Sequence, residues 1–123
     1  MSKPRSRKAK GKRLQGEVRD LILRTFLELE QDDVVSSVGS ERGTDIKLSP
    51  KARKVFPFSI ECKNQEHLSI WQAVEQGESA VTRDTDSLLV FRRNRSKTYV
   101  VLELKAFMNL AKGAGPTEQR EGG

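Results

Sequence analysis

Residues 44–65, TDIKLSPKARKVFPFSIECKNQ, carry the pattern that decides the fold. From Val55 onward, apolar residues fall on every second position, which is the period of a half-buried β-strand. The apolar face consists of Phe56, Phe58, Ile60 and Cys62, and the polar face consists of Ser59, Glu61 and Lys63. Because side chains at positions i and i+2 of a strand share a face, we expect Glu61 and Lys63 to project side by side.

A shorter alternation, Asp45 to Leu48, precedes the turn-prone Ser49-Pro50 and a basic loop at residues 51–54. We predict a hairpin of two strands joined by that loop. The hairpin could bring the carboxylates of Asp45 and Glu61 close enough to share Mg²⁺, which usually takes one or two protein carboxylates. The metal would activate water and neutralise phosphate charge, with Lys63 orienting the nucleophile or stabilising the transition state. These residue types fit phosphodiester hydrolysis; the alternative is a surface hairpin with a Glu–Lys ion pair of little consequence.

The charge distribution points to a polyanionic partner. The chain has 123 residues, enough for one domain, and a net charge of +6. Positive residues gather before the first acid and leave the remainder nearly neutral: Lys3, Arg5, Arg7, Lys8, Lys10, Lys12 and Arg13. A cationic arm on a neutral body suits nucleic acid, since each neutralised phosphate releases counterions. A solubilising tail or a localisation signal would show the same composition.

Cysteine usage and hydropathy bear on the compartment. The single cysteine, Cys62, excludes an internal disulfide, and strand alternation turns it inward as a core residue. The N-terminus lacks the apolar stretch of a secretory signal, and no apolar run is long enough to span a membrane. We therefore expect a cytoplasmic protein with no membrane association.

The rest of the chain divides into regular elements around this stretch. We predict a disordered basic arm at residues 1–11, one folded domain at 12–112 and a disordered tail at 113–123. Within the domain, the expected elements are a helix from Lys12 to Glu30, a strand from Asp33 to Val38, a helix from about Ser69, strands from Ser87 to Arg93 and from Thr98 to Leu104, and a short helix at 106–112.

Three polar residues outside the central stretch are candidates for supporting roles. Glu17 falls on the edge of the apolar stripe of the first helix, where it is either an ordinary surface acid or a further carboxylate turned toward the metal. Ser40, in the glycine loop before Asp45, could bind a phosphate or simply belong to a turn. Gln76, on the second helix, could orient a water or a phosphate, or could be solvated.

The order of helix, three strands, helix and two strands resembles the PD-(D/E)xK nuclease core, and more closely the archaeal-type Holliday-junction resolvases, including those carried by phages. The resemblance covers most of the chain from Lys10 to about Leu104. Its matching points are Lys10-Gly11, Glu17, Val34-Val35, Gly39-Ser40, Asp45, Glu61-Cys62-Lys63 and residues 70–76, IWQAVEQ. Thr44 stands where the family name has proline, and Glu17 lies slightly farther from Lys10-Gly11 than the family pattern places it.

The resemblance implies an α/β, restriction-endonuclease-like fold with a mixed central β-sheet flanked by helices. It implies Asp45, Glu61 and Glu17 as ligands of Mg²⁺, with Mn²⁺ as a substitute, Lys63 as the catalytic lysine, and Ser40 and Gln76 as helpers. The expected activity is resolution of four-way DNA junctions by paired nicks, which calls for a homodimer with two sites. Apolar surface beyond one core, at Leu23, Leu27 and the final hairpin, suits such a dimer.

The DNA-binding surface would combine three groups of basic residues. Two rival interpretations of the chain are a different nuclease and a non-catalytic DNA-binding protein. The first group is the seven cations that precede the first acid. The others are the loop residues Lys51, Arg53 and Lys54, and the turn residues Arg92, Arg93 and Arg95. Another PD-(D/E)xK enzyme, such as a nickase or a repair or restriction-type nuclease, would share every site residue. A binding protein would keep the cations without needing the acids.

Overall fold

The computed structural model describes residues 4–37, 44–82 and 84–114, with the backbone alone at residues 4–7 and 114. Its helices are α1 (Pro4–Thr25), α2 (Pro50–Val55), α3 (Ile70–Ser79) and α4 (Leu104–Ala114). Its strands are β1 (Val34–Ser36), β2 (Ile46–Leu48), β3 (Phe58–Asn64), β4 (Asp86–Arg92) and β5 (Tyr99–Val101). A single 3-10 turn, Gln31–Asp33, leads into β1.

The strands form one mixed sheet in the order β1-β2-β3-β4-β5. β3 and β4 run parallel, with α3 as the crossover between them, and the other neighbours are antiparallel. The α/β fold with a mixed central sheet flanked by helices is therefore confirmed. Among the described residues, no helix is long and apolar enough to cross a bilayer.

Helix α1 covers one face of the sheet with an apolar stripe. Leu14 and Ile22 on α1 are buried, with Val18 partly buried between them, at the spacing of one helical face. They pack against the face of the sheet that β3 contributes through Phe58, Ile60 and Cys62. The apolar face predicted for β3 is confirmed at these positions. The apolar stripe predicted for the first helix was wrong at Leu21, which is 56% exposed.

The polar face of β3 is buried as well, so the prediction of a half-buried strand was wrong. Ser59 and Glu61 are as inaccessible as their apolar neighbours. Helix α3 packs over them: a Cβ on Gly77 would lie 3.6 Å from the Cγ atom of Glu61. Successive residues of a strand point to opposite faces, so α1 and α3 sandwich the central strands.

The basic stretch after β2 is helix α2, where a loop was predicted. Ser49 is its N-cap and accepts a hydrogen bond from the backbone N–H of Ala52 at 3.0 Å, while Pro50 occupies the first turn. The Ser49 hydroxyl also donates to Asp33 at 2.6 Å. Ser-Pro favours a turn and equally a helix start, and the burial of Ala52 decides for the helix.

Helix α1 begins at Pro4, earlier than predicted, so residues 4–11 are its first turns where a disordered arm was predicted. Proline suits the first turn of a helix, and Lys, Arg and Ala are good helix formers. The helix also ends earlier than predicted, at Thr25. Helix α4 begins at Leu104 and so includes the predicted helix at 106–112. The domain limits themselves stay a prediction.

Candidate active site

Asp45 is fixed against β3 by its own backbone and side chain. Its N–H donates to the carbonyl of Ile60 at 2.9 Å, and one carboxylate oxygen accepts the N–H of Cys62 at 2.7 Å. The antiparallel pairing of Ile46 with Ile60 places Asp45 opposite Glu61. Opposite residues of an antiparallel pair lie about 5 Å apart at their Cβ atoms, so the two predicted acids are neighbours.

Glu61 is an unusually basic carboxylate. Its residue surface is only 4% exposed. Burial raises the pKa of Glu61 to about 7; the charge of Asp45 and a hydrogen bond with Asp45 add to the shift, and the charge of Lys63 opposes it. A buried carboxylate beside a second one gains from any nearby cation, because ionisation is otherwise penalised by lost hydration and by like-charge repulsion.

Lys63 lies two residues along the same face of β3 and is half-buried. It is close enough to Glu61 to favour that carboxylate's ionised form. The structure thus brings together Asp45, Glu61 and Lys63, as the sequence predicts. Cys62, between them, points into the core under α1, and burial followed by the charges of Asp45 and Glu61 raises the pKa of its thiol. A thiol held protonated in this way is a packing residue, as predicted.

The pair lies toward one edge of the sheet, which we call the site edge. Asp45 immediately precedes β2, and Lys63 and Arg92 stand at the ends of the parallel strands β3 and β4, so these positions share that edge. The first half of α1 reaches the same edge, where the Asn64 side chain donates to the Lys10 carbonyl at 3.4 Å. Lys12 donates through Nζ to the carbonyl of Ser37 at 2.9 Å.

A family model described as "Phage putative PDDEXK endonuclease" matches residues 6–118. The chain belongs to this family. The match includes all of the described site, α1 from residue 6 onward, and α4. The search of the curated proteins and the search of the solved structures gave no match.

PDDEXK endonucleases act on DNA and generally depend on a divalent metal, and the acids at the site edge fit such an ion. Asp45 and Glu61 are adjacent carboxylates with one cationic neighbour, Lys63. Mg²⁺ commonly binds through one or two carboxylates and keeps water or phosphate oxygens at its other positions. Among the described residues, no group of three or more His, Cys, Asp or Glu side chains is arranged to hold a metal.

Glu17 is not part of this pair. Its exposed carboxylate forms an ion pair with Arg92, joining α1 to the end of β4. The apolar stripe of the helix places Glu17 at the edge of the buried face. At the surface, however, its carboxylate pairs with the guanidinium of Arg92 at the end of β4. Its predicted place among the metal ligands stays a prediction.

The two remaining supporting residues predicted from the sequence are Gln76 and Ser40. Gln76 precedes Gly77 on α3 and is exposed, and its backbone carbonyl accepts a hydrogen bond from Ser79. Ser40 lies outside the described residues. The roles predicted for both stay predictions.

The predicted DNA-binding cations fall into two separate groups. Lys8, Lys10 and Arg13 on α1, and Arg93 and Arg95 after β4, lie toward the site edge. Lys51, Arg53 and Lys54 lie on α2, which follows the far end of β2 and therefore stands at the opposite edge. Arg53 also donates to the carbonyl of Leu48 at 2.6 Å. Lys3 and the side chains of Arg5 and Arg7 lie outside the description.

Sequence analysis missed the role of Gly77. A Cβ there would lie 2.8 Å from Ser87 Oγ, so the absence of a side chain lets α3 lie directly on the polar face of β3 and bury Glu61. A glycine inside a helix lowers stability by about 1 kcal/mol relative to alanine. A glycine within the predicted second helix is therefore the feature of the sequence that could have indicated close packing there. The buried environment that makes Glu61 basic therefore depends on a residue of another element.

Proposed function

We propose that this protein is a Mg²⁺-dependent endodeoxyribonuclease that resolves four-way DNA junctions by paired nicks, acting as a homodimer. The observation that carries the proposal is the juxtaposition of Asp45, buried Glu61 and Lys63 at one edge of the sheet. Membership of the phage PDDEXK endonuclease family supports the nuclease activity. Junction specificity, the metal and the dimer go further and are proposed here.

Each of the three residues has a distinct task at a scissile phosphate. Asp45 and Glu61 would hold the divalent ion, and the Cys62 N–H keeps the Asp45 carboxylate in place for it. The bound ion would supply Lewis-acid activation and neutralise phosphate charge. Lys63 presents ammonium donors on the same face, where they can stabilise the charge that develops on the phosphate as water adds and the ester bond breaks.

The site edge can also attract the substrate. Lys8, Lys10, Arg13, Arg93 and Arg95 place positive charge on both sides of the acids. Such cations bind the phosphate backbone without sequence preference and give salt-dependent affinity. The acids are the reacting groups and the cations supply binding, so the two functions can be separated by mutation.

Helix α4 supports the dimer. Leu104, Phe107, Met108 and Leu110 are exposed on it, and Ala106 is its buried residue among those described. An apolar helix surface of this kind favours burial against another protein surface, and a two-fold pair would bury it on both copies. Leu23, by contrast, packs against the core of its own chain and does not contribute to such a surface.

The test is a panel of four-way junction, duplex, flap and single-stranded DNA, each incubated with Mg²⁺, with cuts mapped on every strand. We expect symmetric paired nicks in the junction and a dimeric mass by sedimentation. A monomer, or equal activity on plain duplex, would replace junction resolution with a general PD-(D/E)xK nuclease activity. Binding to all four DNAs with no cleavage under any divalent metal would leave a DNA-binding protein.

A further inference from the structure

A groove of about 410 Å³ opens beside Lys63 on the face of the sheet that carries the acids. Lys63 pairs with Phe91 across β3 and β4, and Phe91 pairs with Tyr99 across β4 and β5, so the three side chains stand in one row. Neighbouring strands are about 5 Å apart, which puts Tyr99 about 10 Å from Lys63. A DNA strand advances about 3.4 Å per nucleotide along the duplex, so the groove lies within a few nucleotides of a phosphate at Lys63.

The lining of this groove is that of a nucleotide site. The rings of Phe91 and Tyr99 have centroids 6.2 Å apart and offer apolar faces, and Tyr99 is 55% exposed. Leu68 adds an apolar wall. The exposed Gln65 brings an amide that can hydrogen-bond a base edge, whereas the Ser96 hydroxyl is bonded to the backbone of its own turn. The volume falls in the range of ordinary small-molecule sites.

The charged residues that line the groove are two cations, Arg92 and Arg93, and one carboxylate, Glu66. Arg93 is exposed on its rim. The one carboxylate in the lining, Glu66, accepts the backbone N–H of Asn94 at 2.6 Å and so serves the turn after β4. Arg92, the other cation of the lining, is paired with Glu17.

A second cavity of similar size, about 430 Å³, provides the contrast. It lies between α3 and the β5–α4 junction, against Trp71, Val74 and Leu89. Its charged lining residues are the carboxylates Glu78 and Glu103, which would repel a phosphate. Of these two cavities, the groove beside Lys63 is the one that combines aromatic faces with a cation.

We propose that this groove, which we call the nucleotide groove, holds one unpaired nucleotide of the DNA strand that is cut. A base paired and stacked in a duplex cannot reach a ring on the protein, whereas an unpaired base can leave the stack at small cost and stack on an aromatic side chain. The groove therefore selects DNA that presents an unpaired nucleotide near the cut, such as a bulge or a branch point at which a base pair has opened. Its place in catalysis rests on the proposed nuclease function.

The test compares Tyr99→Leu, which keeps apolar bulk but removes the ring, with Tyr99→Phe, which keeps the ring. Val100→Ala is the matched control, because Val100 is an exposed neighbour on the same edge strand that points to the other face. The DNAs are a duplex with a single-nucleotide 2-aminopurine bulge and the same duplex fully paired. Binding is measured in EDTA and cleavage in Mg²⁺.

We expect the wild-type protein to bind the bulged DNA more tightly and to quench its 2-aminopurine fluorescence by stacking. Tyr99→Leu should lose the quenching and about tenfold in affinity for the bulged DNA, with paired-duplex affinity unchanged. Tyr99→Phe and Val100→Ala should behave as the wild type does.

Two other outcomes separate the groove from the nuclease activity. If the wild-type protein cuts DNA and Tyr99→Leu affects both DNAs equally or neither, the nucleotide groove is refuted and the nuclease stands. If the wild-type protein cuts no DNA, the proposed function is refuted; loss of quenching in Tyr99→Leu then still supports the groove, and its retention refutes it.

Discussion

Replacing Glu61 by Gln should stabilise the metal-free protein at pH 8 and leave it unchanged at pH 4.5. The pKa of Glu61 rises from 4.5 in the unfolded chain to about 7 in the folded protein, through burial and then the charge of Asp45. The folded state therefore binds more protons between these values, and stability falls as pH rises through them. Above pH 7 the ionised carboxylate costs the fold up to about 3 kcal/mol, because each pKa step is worth about 1.4 kcal/mol.

Urea unfolding in EDTA from pH 4.5 to 8.5 measures this difference directly. With a slope near 2 kcal/mol per molar urea, the midpoint of Glu61→Gln should exceed that of the wild type by about 1–2 M at pH 8 and match it at pH 4.5. Glu28→Gln is the control, since Glu28 is an exposed carboxylate in the turn after α1 and its neutralisation relieves no burial. Parallel wild-type and Glu61→Gln curves across the whole pH range would refute the buried acid pair.

Adding Mg²⁺ tests the other half of the same argument. When the concentration of free Mg²⁺ is a hundred times the dissociation constant of its site in the folded wild type, binding adds about 2.7 kcal/mol to the free energy of unfolding. The gain should be large at pH 8, where Glu61 is ionised, smaller at pH 5, where a proton competes, and nearly absent in Glu61→Gln. Equal stabilisation of wild type and variant would place the ion elsewhere.

Three further predictions concern the glycine that packs against the site, the N-cap of α2 and the N-terminal residues. Gly77→Ala should lower the free energy of unfolding by about 1 kcal/mol or more relative to Gly16→Ala, since a Cβ at Gly77 meets Ser87 Oγ at 2.8 Å and one at Gly16 meets nothing within 4 Å. Thermal unfolding of both variants decides this, and a more stable Gly77→Ala would contradict it. Ser49→Ala should cost about 1 kcal/mol by removing the N-cap of α2, with unchanged DNA cleavage because α2 stands at the far edge; a loss of cleavage without loss of stability would argue against that placement. Deleting residues 1–9 should weaken DNA binding and flatten the dependence of log affinity on log salt, by about 0.9 for each lost phosphate contact, and an unchanged slope would show that these residues do not touch DNA.

Much of the site could be predicted because it depends on strand geometry. Alternation alone puts Glu61 and Lys63 on one face and Cys62 on the other, wherever the strand lies in the protein. The antiparallel arrangement of β2 and β3 then brings Asp45 opposite Glu61, whether a loop or a helix connects them. These inferences need only the two-residue alternation of a β-strand and the order of the elements along the chain.

The remaining features depend on contacts between distant segments. The polar face of β3 is buried because α3 lies on it, and no local pattern around Glu61 records that contact. Glu17 forms an ion pair with Arg92 of β4, which is distant from it in the sequence. Ser49-Pro50 suits both a turn and a helix start, and the choice is made by packing of the following residues. Local sequence therefore predicted which residues gather and not how deeply they are buried.

The most direct test of the central claim is cleavage of a labelled four-way junction in Mg²⁺ by the wild type, Asp45→Asn and Lys63→Ala, with junction binding measured separately in EDTA. Glu28→Gln, a change at an exposed carboxylate in the turn after α1, is the control. If Asp45, Glu61 and Lys63 form the reacting site, both site variants should lose cleavage by about a hundredfold or more and keep their folded structure and binding, and the control should cut at the wild-type rate. Cleavage near the wild-type rate by a folded Asp45→Asn or Lys63→Ala protein would contradict the assignment.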